Sequence, residues 1–153
     1  MLESPAQGGE ENAAKVCSSL MAYFLAKTDP DTYSIDDLKR EGRTVWDGVR
    51  NPAAVNTIKT MKPGDTVIIY HSQSETAIAG LAKVVSAARP ARNDPRSWVA
   101  DFQYVQHAKR KVTLREIKDS HEFDNWALVR QGRLSTMAAP VEFWKWLQKQ
   151  GAF

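Results

Sequence analysis

The sequence has one cysteine, Cys17, so no internal disulfide can staple the chain. An unpaired thiol suits a reducing compartment, and a cytoplasmic protein is expected. The three histidines, His71, His107 and His121, show no ligand spacing. That argues against a built-in metal site. No glycine-rich phosphate loop and no repeating strand–helix unit is present, so no nucleotide cofactor is expected. A Gly-x-Ser-x-Gly elbow is missing as well. No apolar run approaches the length of a membrane span. The stretch Leu20 to Ala26 is too short, and the residues before it lack a basic head and a cleavage site, so neither a span nor a signal peptide is expected. There is no internal repeat or low-complexity tract.

What remains is an ordinary globular composition. The chain has 153 residues, 42% hydrophobic and 25% charged, which fits one domain with a core of normal size. The formal net charge is +3. Glu3, Glu10 and Glu11 outweigh Lys15 in the first twenty residues, so the rest is more basic than that figure. Such a surplus is compatible with a phosphate backbone as partner and does not demand one. Residues 1–20 contain Pro5, Gly8, Gly9 and several polar residues, poor material for a core. They are expected to form a flexible extension, with the domain proper at 21–153 and Met21 a candidate alternative start.

From Ala22 onward the pattern is regular. Ala22 to Ala26 reads as a first strand. Ser34 with Asp37 three residues on predicts a capped helix through Arg40, ended by Gly42. Asn51-Pro52 predicts a second helix carrying Ala54, Ile58 and Met61. Thr66 to Tyr70 and Thr76 to Val85 read as strands of a hairpin, and Trp98 to Val105 alternates as a third long strand. Arg89 to Arg96 is expected to be an exposed loop, as is the basic run Lys109-Arg110-Lys111. Thr113 caps a short helix, residues 132–136 suggest another extended segment, and Pro140 opens a last helix. The order predicts an α+β protein: a mixed, mainly antiparallel sheet with short helices in its connections.

The segment Trp46-Asp47-Gly48-Val49-Arg50-Asn51 offers a flat π surface, a guanidinium and an amide within six residues. Those groups suit a planar, hydrogen-bonding ligand such as a nucleobase. Read alone, it is equally a core tryptophan, a turn glycine and a surface cap. The residues around it carry more. Tyr23-Phe24-Leu25-Ala26-Lys27-Thr28-Asp29-Pro30, Tyr33-Ser34-Ile35-Asp36-Asp37-Leu38, this Trp46–Asn51 segment, Met61-Lys62-Pro63-Gly64-Asp65, Tyr70-His71-Ser72, Ile78-Ala79-Gly80 and Leu128-Val129-Arg130-Gln131-Gly132-Arg133-Leu134-Ser135 follow in order. Together they resemble the EVE-domain family over residues 21–150. The family's usual Lys-Ser-Glu-Pro is Lys27-Thr28-Asp29-Pro30 here. Pro52 replaces an aromatic residue, and Gln73 stands where Asn is usual.

The resemblance implies a PUA-like pseudo-barrel, related to YTH and ASCH domains. It also implies binding of nucleic acid, DNA or RNA, with a modified base turned out into a pocket. On that reading the binding residues are Lys27, Thr28, Trp46, Val49, Arg50, Asn51, Tyr70, His71, Ser72, Arg130, Gln131, Arg133 and Ser135. Trp46 would form a stacking wall, and Thr28, Ser72 and Gln131 would meet the base edge. Arg50, Arg130 and Arg133 would border one pocket and hold phosphates; alternatively Arg130 and Arg133 pair with Asp29 or Asp47. Two other function classes stay open. One is a small-molecule or protein-interaction module using the same pocket. The other is a hydrolase built on His71 and Ser72, which adjacent strand residues pointing to opposite sides disfavour.

Overall fold

The computed structural model describes residues 22–153; the expected N-terminal extension lies outside the described residues. Seven strands form one sheet: β1 (Tyr23–Thr28), β2 (Arg43–Trp46), β3 (Thr66–His71), β4 (Ala77–Val84), β5 (Arg89–Pro90), β6 (Trp98–His107) and β7 (Thr136–Ala139). Among the described residues there are five helices, four in the connections and one after the last strand: α1 (Ile35–Glu41), α2 (Pro52–Lys59), α3 (Leu114–Ser120), α4 (Ala127–Arg130) and α5 (Val141–Lys149). Along the sheet the order is β2-β6-β4-β3-β1-β7, with β5 paired to β6 off this path. Every pairing is antiparallel except β1 against β3. The α+β class and the mixed, mainly antiparallel sheet agree with the sequence pattern.

The helix starts follow the local chemistry. Ser34 accepts from the Asp37 N–H at 3.2 Å while the Asp37 carboxylate accepts from the Ser34 N–H at 2.9 Å, a closed capping box for α1. Gly42 ends α1 with φ of 76°. Asn51 caps α2 by accepting from the N–H groups of Ala53 and Ala54, and Pro52 supplies the first helical residue. Thr113 and Glu116 form a second capping box at α3.

Four elements depart from the sequence pattern; the short strand β5, Arg89–Pro90, lies inside the segment expected to be an exposed loop and pairs with β6. β2 has only four residues, Arg43–Trp46, too few to display an alternation, so it is invisible without its partner β6. The four-residue helix α4 is short for the same reason. The last strand is Thr136–Ala139, displaced from the extended segment expected at 132–136, because residues 131–134 form a turn closed by the Leu134 N–H on the Gln131 carbonyl at 3.0 Å.

The core fills the concave side of the sheet and the space beneath the helices. Phe24, Val67, Ile69, Ile78, Phe102 and Leu38 are buried there. A second group of aromatics seats α5: Phe123, Trp126, Phe143 and Trp146 meet with ring centroids 4.6–6.1 Å apart. Trp144 stacks on Tyr23, with ring centroids 5.6 Å apart.

The sheet is strongly curled. In a flat sheet β2 and β1, four strand steps apart, would be separated by about 19 Å. Here residues of β2, of β1 and of the turn into β7 border one cleft. The hydrogen-bonded path stays open there, leaving a seam in what is otherwise a barrel. Register irregularities between Ile69 and Tyr70 and between Leu81 and Ala82 help the sheet bend.

Gly80 marks the tightest approach. A Cβ there would sit 2.7 Å from the Gln106 carbonyl oxygen and 2.7 Å from the Ile35 side chain. Gly80→Ala is therefore expected to destabilise the fold by about 1–3 kcal/mol through overpacking against backbone. Urea melts of the two proteins check this; an unchanged midpoint would show that α1 is free to shift.

Candidate functional site

The seam holds a cleft of about 410 Å³. Trp46, the last residue of β2, forms its floor. One face of the indole stacks on Phe102, with centroids 5.0 Å apart and planes 23° apart, and Tyr33 meets it edge-on at 6.2 Å. Only 9% of Trp46 is exposed, so the residue belongs to the core and to the cleft at once. Val49 adds apolar surface beside it, and Gly48, at φ of 78°, turns the chain away.

Polar groups stand around this floor. Thr28 ends β1, and its hydroxyl donates to the Tyr33 carbonyl at 2.7 Å, keeping its lone pairs for a donor in the cleft. Thr32, Tyr33 and Thr44 add hydroxyls, Asp47 a carboxylate, and Ser135 closes the far side. Lys27 stands at the rim. Its ammonium donates to the Gly132 carbonyl at 2.9 Å and lies 5.7 Å from the Tyr70 ring centroid. Burial lowers the pKa of Lys27 from its ordinary value. The Tyr33 hydroxyl, which donates to Glu41 at 2.7 Å, is pushed up to about 12 by burial first and by that carboxylate second.

Of the thirteen residues expected from the sequence, the cleft brings together Lys27, Thr28, Trp46, Val49 and Ser135. The others are placed elsewhere. Asn51 spends its side-chain oxygen on the α2 cap. Tyr70 is 2% exposed and lies beneath Lys27. His71 is 3% exposed. Its Nε2 accepts from the Ile35 N–H at 3.1 Å and its Nδ1 meets the Glu75 carboxylate, so both ring nitrogens are committed. Ser72 supports the cleft from behind, its N–H donating to the Thr28 carbonyl at 2.9 Å.

The three arginines do not border one pocket. Arg50 pairs with Asp94 in a neighbouring cleft. Arg130 donates to Asn125 at 2.9 Å. Arg133 and Gln131 are exposed on the turn between α4 and β7. Neither Arg130 nor Arg133 forms an ion pair with Asp29 or Asp47 among the described residues. The turn is the reason: the backbone carbonyls of Gly132 and Ser135 accept from Lys27, while the side chains of Gln131 and Arg133 are exposed.

Sequence reasoning passed over Thr32, Tyr33 and Thr44 as cleft residues, and treated Asp47 outside its motif only as an ion-pair partner. Tyr33 and Asp47 lay within the motifs that carry the family resemblance; Thr44 sits in the strand too short to recognise. Among the described residues no group of histidine, cysteine, aspartate and glutamate side chains could hold a metal ion. No helix among them is long and apolar enough to cross a membrane.

The sequence profile of the EVE domain matches residues 22–150. The chain belongs to the EVE-domain family. Human thymocyte nuclear protein 1 is 34% identical to it, over 72% of this chain and 62% of its own. The chain thus spans about three fifths of the length of the curated relatives it matches. A protein of Pseudomonas syringae of known crystal structure is 35% identical, superposes with a TM-score of 0.77, and is matched over 84% of this chain and 99% of its own. The human THYN1 protein, solved in complex with DNA containing 5-methylcytosine, is 28% identical with a TM-score of 0.79, over 86% of this chain and 98% of that one. The fold is the PUA-like fold of these EVE domains.

Tyr33 gives the cleft a pH limit. Its folded pKa lies above the ordinary 10.0, so its contribution to stability is complete below pH about 10. It is expected to disappear as pH rises from there through about 12, when the phenolate is repelled by Glu41. Ultraviolet titration of the wild type against Tyr33→Phe should assign the late phenolate to Tyr33. Stability should fall more over that window in the wild type than in the variant, where Tyr70, also raised by burial, still titrates late.

Proposed function

We propose that this EVE domain is a binding module for nucleic acid carrying a modified base, and that the base is turned out into the seam cleft. The observation that carries the reading is the composition of that cleft: an aromatic floor with a hydroxyl- and carboxylate-bearing wall and an ammonium at the rim. A cleft of a few hundred Å³ suits one heterocycle. Trp46 would stack against it, already held flat by Phe102. Thr28 and Ser135 would meet its edge, and the Asp47 carboxylate would accept from an exocyclic amine such as that of cytosine. Lys27 would take the backbone phosphate leading into the cleft. The human relative solved with 5-methylcytosine DNA supports this choice of ligand class.

The module acts by binding and not by catalysis on this reading, and in the cytoplasm. The committed nitrogens of His71 leave no base to activate Ser72. Arg130 at the end of α4, and Gln131 and Arg133 exposed on the turn after it, would reach flanking nucleotides and not the base itself. Arg50 and Asn51 would act from the next cleft and from the α2 cap. Tyr70, His71 and Ser72 would act by supporting Lys27 and Thr28.

The test is a pair of titrations with DNA oligonucleotides containing 5-methylcytosine or cytosine at one position. Asp47→Ala is expected to lower affinity for the methylated strand by about 1–3 kcal/mol, as loss of a base-edge acceptor does. Trp46→Phe, which keeps a ring on Phe102, should weaken both strands while the protein stays folded. Trp46→Ala is expected to cost about 3–5 kcal/mol of stability, because the indole is nearly enclosed. No binding of either oligonucleotide by the wild type would sink the reading.

A further inference from the structure

A second cleft, of about 510 Å³, adjoins the first. Val45, Asp47 and Gly48 border both, so a single ridge separates them. The opposite bank is the loop from Arg89 to Ser97, the arginine-rich segment that the base-binding reading leaves without a role.

One observation sets this cleft apart. Ser97 lines it and is 2% exposed, and its hydroxyl oxygen is shielded from water with no hydrogen-bond partner. A buried hydroxyl without a partner carries a desolvation cost that native structures avoid, unless something absent completes it. The backbone of Ser97 is satisfied: its N–H donates to the Asp94 carbonyl and its carbonyl accepts from the Ala91 N–H. Only the hydroxyl waits for an acceptor or donor.

The charges beside it indicate an acceptor. Arg50 gives its Nε to Asp94 and leaves its two terminal amino groups without a hydrogen bond among the described residues. Arg92 is exposed and forms no ion pair among the described residues. Arg89 is occupied by Ser86 and Asp101. Asp94 lines the cleft but is matched by Arg50 and Arg96 and by the Arg96 N–H. The Asp47 carboxylate on the shared ridge also borders it, one acid against the guanidinium groups of Arg50 and Arg92. Two guanidinium groups therefore border the cleft, with a buried hydroxyl in its wall beside them, and a tetrahedral oxyanion accepts from such donors in several directions.

The geometry points to this cleft as the seat of a backbone phosphodiester, the one next to the nucleotide whose base enters the seam. Ser97, Arg92 and the free end of Arg50 would hold it. The assignment rests on the base-binding reading of the first cleft, since the shared ridge is what makes base and phosphate neighbours on one strand.

The test uses the full chain and DNA oligonucleotides with one 5-methylcytosine. Linkages around that nucleotide are replaced, one at a time, by uncharged methylphosphonate. Neutralising one adjacent linkage is expected to lower affinity about tenfold, and distant linkages much less. Arg92→Gln, on an exposed loop, should bind more weakly and lose that linkage dependence, and Ser97→Ala should reduce it. Equal losses at every linkage, in wild type and Arg92→Gln alike, overturn the inference while leaving the base cleft in place. If no oligonucleotide binds, the base-cleft reading has failed, and dimethyl phosphate decides the second site alone. Shifts in the amide signals of residues 91–97 that Arg92→Gln abolishes would keep it as a phosphodiester site. Unmoved signals would overturn it.

Discussion

The stack of Trp46 on Phe102 is the interaction on which the seam depends. β2 is four residues long and lies at the end of the sheet, with only β6 beside it. A strand so short has few ladder bonds to hold it. What anchors it is the burial of one large indole against a phenyl ring of β6, with Tyr33 at its edge. The same contact keeps the ring flat at the bottom of the cleft. The ring that anchors the strand is therefore also part of the cleft lining.

The segment that delivers Trp46 is itself held at three points. The Thr28 hydroxyl grips the Tyr33 carbonyl. The His71 ring takes the first N–H of α1, from Ile35, and is backed in turn by Glu75 and Lys111. Gly80 leaves room for the Ile35 side chain to press against the sheet. These contacts join β1, β3 and β4 to α1, and α1 leads directly into β2. The Glu75 carboxyl is held below its usual range, chiefly by the His71 hydrogen bond. That places a polar strut, with its charges matched, beneath an otherwise apolar junction.

This arrangement explains why so few of the candidate residues reach the cleft. Residues that looked chemical in the sequence, such as His71 and Asn51, are spent on holding the walls. Arg50 was placed with Trp46 because only four positions separate them, but Gly48 turns the chain between them. Trp46 and Arg50 consequently face two different clefts. The second cleft then gains its character from a loop forty residues further on, through Asp94 and Ser97.

The sequence alone was sufficient for the helix caps at Ser34, Asn51 and Thr113, for the long strands, for the mixed sheet and, through ordered motifs, for the family. Those features depend on neighbours within a few residues or on runs long enough to show a period. It also named five of the residues that line the cleft, all within the family motifs. It could not supply β2, whose four residues acquire strand geometry only by pairing with β6. Nor could it supply the meeting of β2 with β1 and the turn before β7, the positions of Thr32 and Thr44, or the unpartnered hydroxyl of Ser97. Each of these follows from the curl of the sheet, which brings together segments far apart in the chain. That curl is a sum over all the strand pairings and bulges, and no local stretch of sequence encodes it.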